Sequence, residues 1–489
     1  MVDRKLFSIA AVVLFSVAGY MAFINAAGPV QRDGSLFIFM ANNIYAGQPP
    51  YWASFDTKNP FVEYYWSLVY VPLAGWLGVV SASRVAEGIY LALTGLVVFY
   101  SLLFYYRKFL MPQQEQSQRL QLCSMFRPTL FAMLLSVSVV YLLSNWRVVD
   151  NGFNISIYQG LLEALALLLA VMLIYRRSLP LSLLFGGIVF FAWWTKQTSL
   201  LSIFPPLLVS LFWAYKSGCF RQYLCASAIA LVTFLSLVAL FVLVLWQNET
   251  LAYYQRGTHG FHLSTLADNM KSASLYLMGL LSSSWAFPKN TALWVSALFV
   301  IVVVAVSRDV ALCKRRGDQS IDTVFLKVFL ASWLFGAILQ ATIPLNFYPH
   351  YYLSAWVPAV LNVGVHLLDA KWVRDDLRGI NAAIALLLFF ALFHYYEERP
   401  LLEQMRSSAP IYQRVEKLSE IIPPESTVFV WGGLAHFHIL NNKSSDYAQN
   451  MWWPYIRESM SDAERDEEIS AHLKGNPPDY FIEFYESYR

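Results

Sequence analysis

The sequence predicts an all-α polytopic membrane protein with about 11 transmembrane helices, an interfacial juxtamembrane helix and a small C-terminal α/β extracytoplasmic domain. The first observation is composition, because 57% of the 489 residues are hydrophobic and only 14% are charged. Soluble proteins carry about 25% charged residues, so the composition argues against an ordinary soluble enzyme. The second observation is the recurrence of apolar runs long enough to cross about 30 Å of hydrocarbon. The third is a polar last part, which separates a predicted transmembrane domain, 1–394, from an extracytoplasmic tail, 395–489.

The apolar runs define the predicted spans, and the first of them is expected to remain in the mature protein. Cleavage after Ala26 or Ala27 would place Ile24 or Asn25 at the −3 position, where a signal-peptide cleavage site has a small residue. We therefore expect a retained signal-anchor helix with its N-terminus in the cytoplasm. The predicted spans are 6–26, 84–106, 128–144, 157–175, 180–195, 198–214, 223–246, 290–306, 326–343, 351–368 and 379–394.

A further apolar run, Phe61–Val80, is expected to lie in the membrane interface. If it crossed the membrane, every later basic loop would face outward, whereas basic loops mark the cytoplasmic side. Pro72, Gly75 and Gly78 interrupt the run, as suits a helix that lies on the membrane. The outer face then carries the loops 27–83, 145–156 and 247–289, the segment 346–350 and the tail 395–489.

The tail is expected to form a small α/β unit. Its pattern predicts a helix over Ile411–Ile421 and a charged helix over Ser461–Leu473. It also predicts a strand over Thr427–Trp431, ended by two glycines, and a second strand over Tyr480–Phe484, which follows two prolines.

Three outer segments carry polar residues in an order that resembles a known family. The loop behind the first span contains Asp33 and, further on, the run Asp56-Thr57-Lys58-Asn59-Pro60. A Lys-Gln-Thr turn at 196–198 follows a Gly-rich apolar helix, and Asn346–Tyr352 reads N-F-Y-P-H-Y-Y. Together these segments resemble the GT-C superfamily of membrane glycosyltransferases, nearest to its protein O-mannosyltransferase and aminoarabinose transferase-like branch of bacterial family 39 type.

This resemblance implies an activity and its partners. It implies an enzyme of the bacterial inner membrane that takes a sugar from a polyprenyl-phosphate-linked donor. The sugar passes, with inversion, to a lipid, glycan or protein acceptor on the non-cytoplasmic face. Membrane lipids are the expected surroundings, and nucleic acid is not an expected partner. The resemblance requires no cofactor and leaves a divalent cation open.

The resemblance assigns the general base to Asp33, which matches an acidic position of the family directly after the first span. The base removes the proton of the acceptor hydroxyl as its oxygen attacks the sugar. Gly34 stands where many relatives have a second acid. The alternative role for Asp33 is the N-cap of a helix over 34–46, since aspartate is a favourable N-cap.

The same outer loop contains a lysine and two more acids that are candidates for substrate binding. Lys58 is expected to pair with the donor phosphate or with Asp33, and Asp56 belongs to the same segment. This segment resembles the family's D-x-K-x-P, with Asn59 where a proline is common. The alternative for this segment is a solvated turn before Pro60, since proline is common at a helix start. Glu63, one turn into the interfacial helix, is a further candidate.

Three more outer residues are candidates for binding the donor phosphate, because cations steady a departing phosphate. Lys196 is confined to a short turn near the lipid headgroups, and its alternative role is snorkelling to the interface. His350 matches the histidine of the family's R-x-x-x-H-Y-x-L segment, in which Asn346 replaces the arginine. A structural hydrogen bond is the alternative for His350. Arg256 lies in the long loop 247–289.

Two acids and a histidine pair complete the set. Asp150 stands where family members often place a second acid, although its Asp-Asn-Gly run is also typical of a turn. Glu163 falls inside a span, where a carboxylate costs about 2.5–3.5 kcal/mol at the membrane centre; a structural pairing or a site role fits it. His259 and His262 have helical spacing, but no third ligand stands nearby, so no metal site is predicted.

Two other classes of protein fit part of the pattern. The main alternative is a transporter or flippase for a lipid-linked or small polar substrate. Transporters hold charges near the membrane midplane and often contain repeated halves, whereas the candidate charges here gather at one face and no repeat is detectable. The third class is a catalytically silent scaffold whose tail binds a partner, for which removal of 395–489 would matter more than a change at Asp33.

Overall fold

The computed structural model describes a mostly helical polytopic membrane protein with a small C-terminal β region. Within the described residues, nine helices are long and apolar enough to cross a membrane. The described residues are 4–30, 32–53, 59–110, 121–144, 155–176, 178–255, 291–316, 321–343, 349–369, 392, 394–431, 435–441, 443–447, 467, 470–471 and 473–483.

Nine of the predicted spans correspond to these helices. The predicted span 180–195 is a shorter apolar helix, Leu179–Thr195, and most of the predicted span 379–394 lies outside the described residues. The nine candidate spans are Lys5–Asn25, Val79–Phe109, Arg127–Ser144, Ile155–Tyr175, Ser199–Lys216, Phe220–Gln247, Trp294–Leu312, Ile321–Thr342 and Tyr351–Asp369.

We number the α-helices in chain order. Those of the membrane part are α1 (Arg4–Asn25), α2 (Arg32–Tyr45), α3 (Phe61–Leu77), α4 (Val79–Tyr105), α5 (Gln121–Ser144), α6 (Ile155–Tyr175), α7 (Leu179–Thr195), α8 (Ser199–Lys216), α9 (Phe220–Gln247), α10 (Leu251–Gln255), α11 (Thr291–Arg316), α12 (Ile321–Thr342) and α13 (Trp356–Asp369). Those of the C-terminal part are α14 (Arg399–Ser408), α15 (Pro410–Ile421) and α16 (His436–Leu440). Shorter segments are the π turns Tyr106–Leu110 and His394–Glu398 and the 3₁₀ helix Pro349–Ala355.

Helix burial separates the centre of the bundle from its rim. α6 is the central helix, since 89% of its apolar window is buried, whereas only 17% is buried in the spans of α9 and α11. Leu231, Val232 and Leu240 of α9 and Val300 and Ile301 of α11 are more than half exposed. Contiguous apolar exposure on this scale is expected of helices that face lipid.

α3 has two different faces. Its buried side chains recur every three or four residues between Val62 and Ala74 and pack against the bundle. Leu68 and Trp76, on the opposite face, are 76% and 90% exposed. Gly78, at φ +72°, separates α3 from α4. α3 is a helix as predicted for Phe61–Val80 and is not one of the candidate spans; its placement in the interface stays a prediction.

Gly186 allows α7 to pack closely on α9. A Cβ at Gly186 would overlap the carbonyl oxygen of Ala230 and lie 2.9 Å from Cβ of Thr233, whereas a Cβ at Gly187 would meet no atom within 4 Å. We expect Gly186→Ala to lower the free energy of unfolding by about 1–3 kcal/mol, as overpacking does. Gly187→Ala is the matched control and should not destabilise the protein. Thermal unfolding in detergent compares the two, and equal melting temperatures would contradict the close approach.

Ion pairs join three helices at the end of the bundle opposite the 3₁₀ helix. Nζ of Lys327, on α12, lies 2.6 Å from Oδ2 of Asp309 on α11 and 2.7 Å from Oδ2 of Asp369 on α13. The Lys327 side chain is only 2% exposed, so the two carboxylates compensate a buried charge. His366 Nε2 lies 3.9 Å from the same Asp309 oxygen. We call these four residues the Lys327 cluster.

The C-terminal part contains the two strands that the sequence predicts. β1 (Val428–Trp431) and β2 (Tyr480–Glu483) pair in parallel, with Val428 opposite Tyr480. The predicted helix over Ile411–Ile421 is confirmed as α15, while α14 and α16 were not predicted. The predicted charged helix over Ser461–Leu473 lies largely outside the described residues.

Candidate functional site

The proposed base lies at the start of α2, close to the end of α1. α2 begins at Arg32, two residues earlier than predicted, so Asp33 falls within the first turn and not at the N-cap. An acidic residue in the first turn interacts favourably with the helix dipole. The side chain of Asp33 lies outside the described part of the structure.

Asn59 joins the loop before α3 to the end of α7, to the turn after α7 and to α10. Its side chain is fully buried, and Nδ2 donates to the carbonyl oxygen of Trp193, at the end of α7, over 2.9 Å. Oδ1 accepts from Nε2 of Gln197 at 3.2 Å and from the hydroxyl of Tyr254, on α10, at 3.0 Å. The sequence marked Asn59 only as a departure from the proline that is common in the family. Proline has no side-chain amide, so it could make none of these bonds.

Lys196 sits in the turn between α7 and α8 and contacts an aromatic ring. Its backbone is extended, and its N–H donates to the carbonyl of Ala192. Nζ lies 4.5 Å from the centroid of the Tyr351 ring, in the 3₁₀ helix. Such a cation–π contact stabilises a partly buried ammonium group by about 0.5–2 kcal/mol. The Tyr351 ring therefore gives the ammonium group of Lys196 a defined neighbour within the protein.

These contacts bring together chain neighbours of all four predicted cations. The described part of the structure does not include Lys58, Arg256, Asp56, Asp150 or the side chain of His350. Their chain neighbours are described and converge on two contacts, the Asn59 hydrogen bonds and the Lys196–Tyr351 pair. The relevant neighbours are Asn59 after Lys58, Gln197 after Lys196, Tyr254 two residues before Arg256, and Tyr351 after His350.

Glu63 is fully buried in the first turn of α3. Its side chain points into the bundle with Trp66 and Tyr70, which share the buried face of this helix. A buried carboxylate has a large desolvation cost and is retained where polar partners offset that cost. Glu63 is therefore an internal acid of the bundle and not a solvated surface residue.

Glu163 lies on α6 in a buried network of neutral donors. Oε2 accepts from Oγ of Ser202 at 2.8 Å and from Nε1 of Trp333 at 3.3 Å. Oε1 accepts from Nε2 of Gln340 at 3.3 Å. Gly336 allows α12 to approach the network, since a Cβ there would lie 2.6 Å from the carbonyl oxygen of Ser202. These bonds are the structural pairing that the sequence left open for Glu163.

The Glu163 network also reaches the turn that contains Lys196 and the 3₁₀ helix that contains Tyr351. Gln340 also donates to Oγ of Ser354, in the 3₁₀ helix, over 2.7 Å. Gln159, one turn before Glu163 on α6, donates to Oγ of Ser199 over 2.8 Å, directly after the turn that contains Lys196. The network therefore sets the positions of the Lys196 turn and of the 3₁₀ helix relative to α6.

Arg84 is a buried cation beside the start of α2 that the sequence did not single out. Its side chain is 3% exposed, and Nη1 lies 3.4 Å from Oε2 of Glu87 on the same helix. Nη2 donates to the carbonyl oxygen of Pro29 over 3.1 Å. The sequence does contain a signal for this contact, because an arginine near the start of an apolar helix needs a polar or charged partner.

The C-terminal part packs along α2. Asn43 Oδ1 accepts from the backbone N–H of Ser445 at 2.6 Å, and Gln48 Nε2 donates to the carbonyl of the same serine over 2.5 Å. The ring of His438, on α16, lies 5.1 Å from that of Phe39. Burial, with a smaller contribution from Lys443, lowers the pKa of His438 to about 3. The imidazole therefore stays neutral at ordinary pH and packs as an uncharged ring.

Within the described residues, no group of three or more histidine, cysteine, aspartate or glutamate side chains could hold a metal ion. Beside the Asn59 hydrogen bonds, the described cation is Lys196. Its ammonium group suits an anionic oxygen ligand, because ammonium groups donate to such oxygens.

The fold is similar to that of ArnT from Cupriavidus metallidurans, known from a crystal structure bound to undecaprenyl phosphate. The likeness covers 98% of this chain and 89% of the ArnT chain, with 13% sequence identity and a TM-score of 0.55. No protein-family model and no curated protein matches the sequence. At this identity the likeness shows the fold alone, and an ArnT-like fold is what the resemblance to the aminoarabinose transferases predicted.

Proposed function

We propose that the protein transfers a sugar from a polyprenyl-phosphate-linked donor to an acceptor at the non-cytoplasmic face of the membrane. One observation supports this most: the chain neighbours of four cationic residues meet around Asn59 and Tyr351 in a fold shared with ArnT. In this proposal the chain has about 11 spans, a cytoplasmic N-terminus and an extracytoplasmic tail. The ArnT structure holds undecaprenyl phosphate, which is the leaving group that the proposed reaction would release.

Lys196 is the described cation best placed to bind the phosphate. Its turn is fixed by Gln197 on Asn59 and by the Tyr351 ring. An ammonium group has three donors, so it can donate to a phosphate oxygen while it keeps its contact with the ring. Chain connectivity supports Lys58, Arg256 and His350 as the other members of the same phosphate site.

The proposed reaction needs a base opposite the leaving group. Asp33 removes the proton of the acceptor hydroxyl while the hydroxyl oxygen forms a bond to the anomeric carbon. The bond between that carbon and the phosphate oxygen breaks, and both of its electrons leave with the polyprenyl phosphate. The cations stabilise the charge that develops on this oxygen. The donor bond supplies the driving force, so the step needs no nucleotide.

Binding of the lipid phosphate tests the phosphate site. We expect purified protein in nanodiscs to bind undecaprenyl phosphate more tightly than undecaprenol, which lacks only the phosphate. Lys196→Ala should raise the Kd for undecaprenyl phosphate roughly tenfold, because hydrogen bonds to charged groups contribute about 1.5–3 kcal/mol. Native mass spectrometry or thermophoresis gives these constants.

Lys216 offers a matched control for Lys196. It lies at the other end of α8 and also contacts aromatic rings, with Nζ 5.5 Å from the centroid of Phe212. Lys216→Ala should leave the Kd unchanged. Equal affinity for the two lipids, or equal effects of the two lysine variants, would contradict a phosphate site at Lys196.

A further inference from the structure

Val30, three residues before Asp33, is bound by two helices of the C-terminal part. Its backbone N–H donates to the hydroxyl of Tyr412, on α15, over 2.6 Å. Its carbonyl oxygen accepts from Nε2 of His436, on α16, at 3.1 Å. Both backbone polar groups of one residue are thus satisfied by side chains that are distant in sequence, with separations of 382 and 406 residues.

The membrane part holds the adjacent residue. Nη2 of Arg84, which is paired with Glu87, donates to the carbonyl oxygen of Pro29 over 3.1 Å. The backbone at 29–30 therefore lies between a buried cation of α4 and two side chains of the C-terminal part. We call Tyr412, His436 and Arg84 with these two backbone residues the Val30 clamp.

The far end of α2 is fixed by the same C-terminal part. Ser445 bonds to Asn43 and to Gln48, and the His438 ring packs on Phe39. Contacts before the first turn, within the last two turns and just after the helix restrain both the position of α2 and its rotation. The first turn, which contains Asp33, is then held by the C-terminal part as well as by the membrane bundle.

We infer that the C-terminal part is a positioning element for the proposed base, with Tyr412 and His436 as positioning residues. This inference rests on the proposed function of Asp33. A displacement of about 1 Å in a catalytic group can cost roughly 10²-fold in rate, and the Val30 clamp acts within one turn of Asp33. The Val30 clamp thus gives the tail a role in catalysis, which a scaffold that only binds a partner does not need.

Tyr412→Phe tests the inference with the smallest change. It removes the hydroxyl that accepts from Val30 and keeps the ring. We expect sugar transfer to slow about tenfold or more, with the Kd for undecaprenyl phosphate unchanged. The melting temperature should fall only slightly, because a single buried N–H loses its partner. Hydrogen exchange followed by mass spectrometry should be faster over 26–36. Tyr447→Phe is the matched control, because Tyr447 is buried in the same part and its hydroxyl has no hydrogen-bond partner among the described residues.

His436 provides a rescue test. His436→Leu should slow transfer as Tyr412→Phe does, whereas His436→Gln should restore most of the rate, since the glutamine amide can donate to the Val30 carbonyl. Transfer at the wild-type rate in both Tyr412→Phe and His436→Leu would overturn the inference and leave the proposed function intact. If the wild-type protein transfers no sugar, the proposed function fails, and unchanged exchange over 26–36 would separately overturn the Val30 clamp.

Discussion

Asp33→Asn is expected to lower the rate of sugar transfer by about 10²–10⁴-fold, the range that a positioned general base contributes. Asparagine has nearly the same shape and keeps a hydrogen-bonding oxygen, but it cannot accept the proton of the acceptor hydroxyl. Asp33 lies in the first turn of α2, behind the Val30 clamp. The loss should therefore appear in turnover, while lipid binding at the Lys196 turn stays near the wild-type value.

Mass spectrometry of envelope glycolipids and glycoproteins measures this effect whichever sugar is transferred. Cells with the wild-type protein should contain a glycosylated species that is absent with Asp33→Asn. Asp446→Asn is the matched control, because Asp446 is an exposed acid of the C-terminal part and its variant should keep the product. A product level near wild type in Asp33→Asn would remove Asp33 as the base. Movement of a substrate across the membrane without glycosylation would favour the transporter alternative.

Lys327→Met is expected to lower the free energy of unfolding by about 3 kcal/mol, at the low end of the range for breaking a buried ion pair. Methionine preserves the length of the stem but leaves Asp309 and Asp369 facing each other without the ammonium group that lies within 2.7 Å of both. The carboxylates are 18% and 26% exposed, so water screens part of their repulsion. The three helices α11, α12 and α13 should then separate more easily at this end.

Unfolding by denaturant in detergent checks the prediction for Lys327. A triple variant, Lys327→Met with Asp309→Asn and Asp369→Asn, should recover much of the lost stability, because neutral groups of similar size can replace a buried ion cluster. Lys216→Met, at an exposed lysine, should change little. If Lys327→Met unfolds like the wild type, the Lys327 cluster contributes no net stability.

The sequence predicted the elements that have strong local signals. The length of the apolar runs predicted the nine candidate spans. Pro72 and Gly78 interrupt the run that forms α3, and Gly78 stands where this helix ends. The strands at 428 and 480 followed from short β-rich runs bounded by glycine and proline. The turn at Lys196 was visible because a charged residue interrupts two apolar runs. Each of these signals depends on residues that are close in the chain.

The sequence could not predict contacts that depend on distant residues. Asn59 bonds to Gln197 and Tyr254, 138 and 195 positions away, and nothing local distinguishes it from an ordinary loop asparagine. Tyr412 and His436 lie in a tail whose strands and helix were predicted, yet their partners are two backbone atoms of Val30, near the other end of the chain. A side chain bound to a backbone group has no complementary side chain that a sequence pattern could reveal.

The Val30 clamp also imposes an order on biosynthesis. Val30 leaves the ribosome 382 residues before Tyr412, and at about 5–20 residues per second that interval is roughly 20–80 s. During this time α1 and its neighbours enter the bilayer while α2 lacks the partners that fix it. With Asp33 as the base, we expect a nascent or truncated chain to transfer sugar more slowly than the finished protein, because α15 and α16 are still missing.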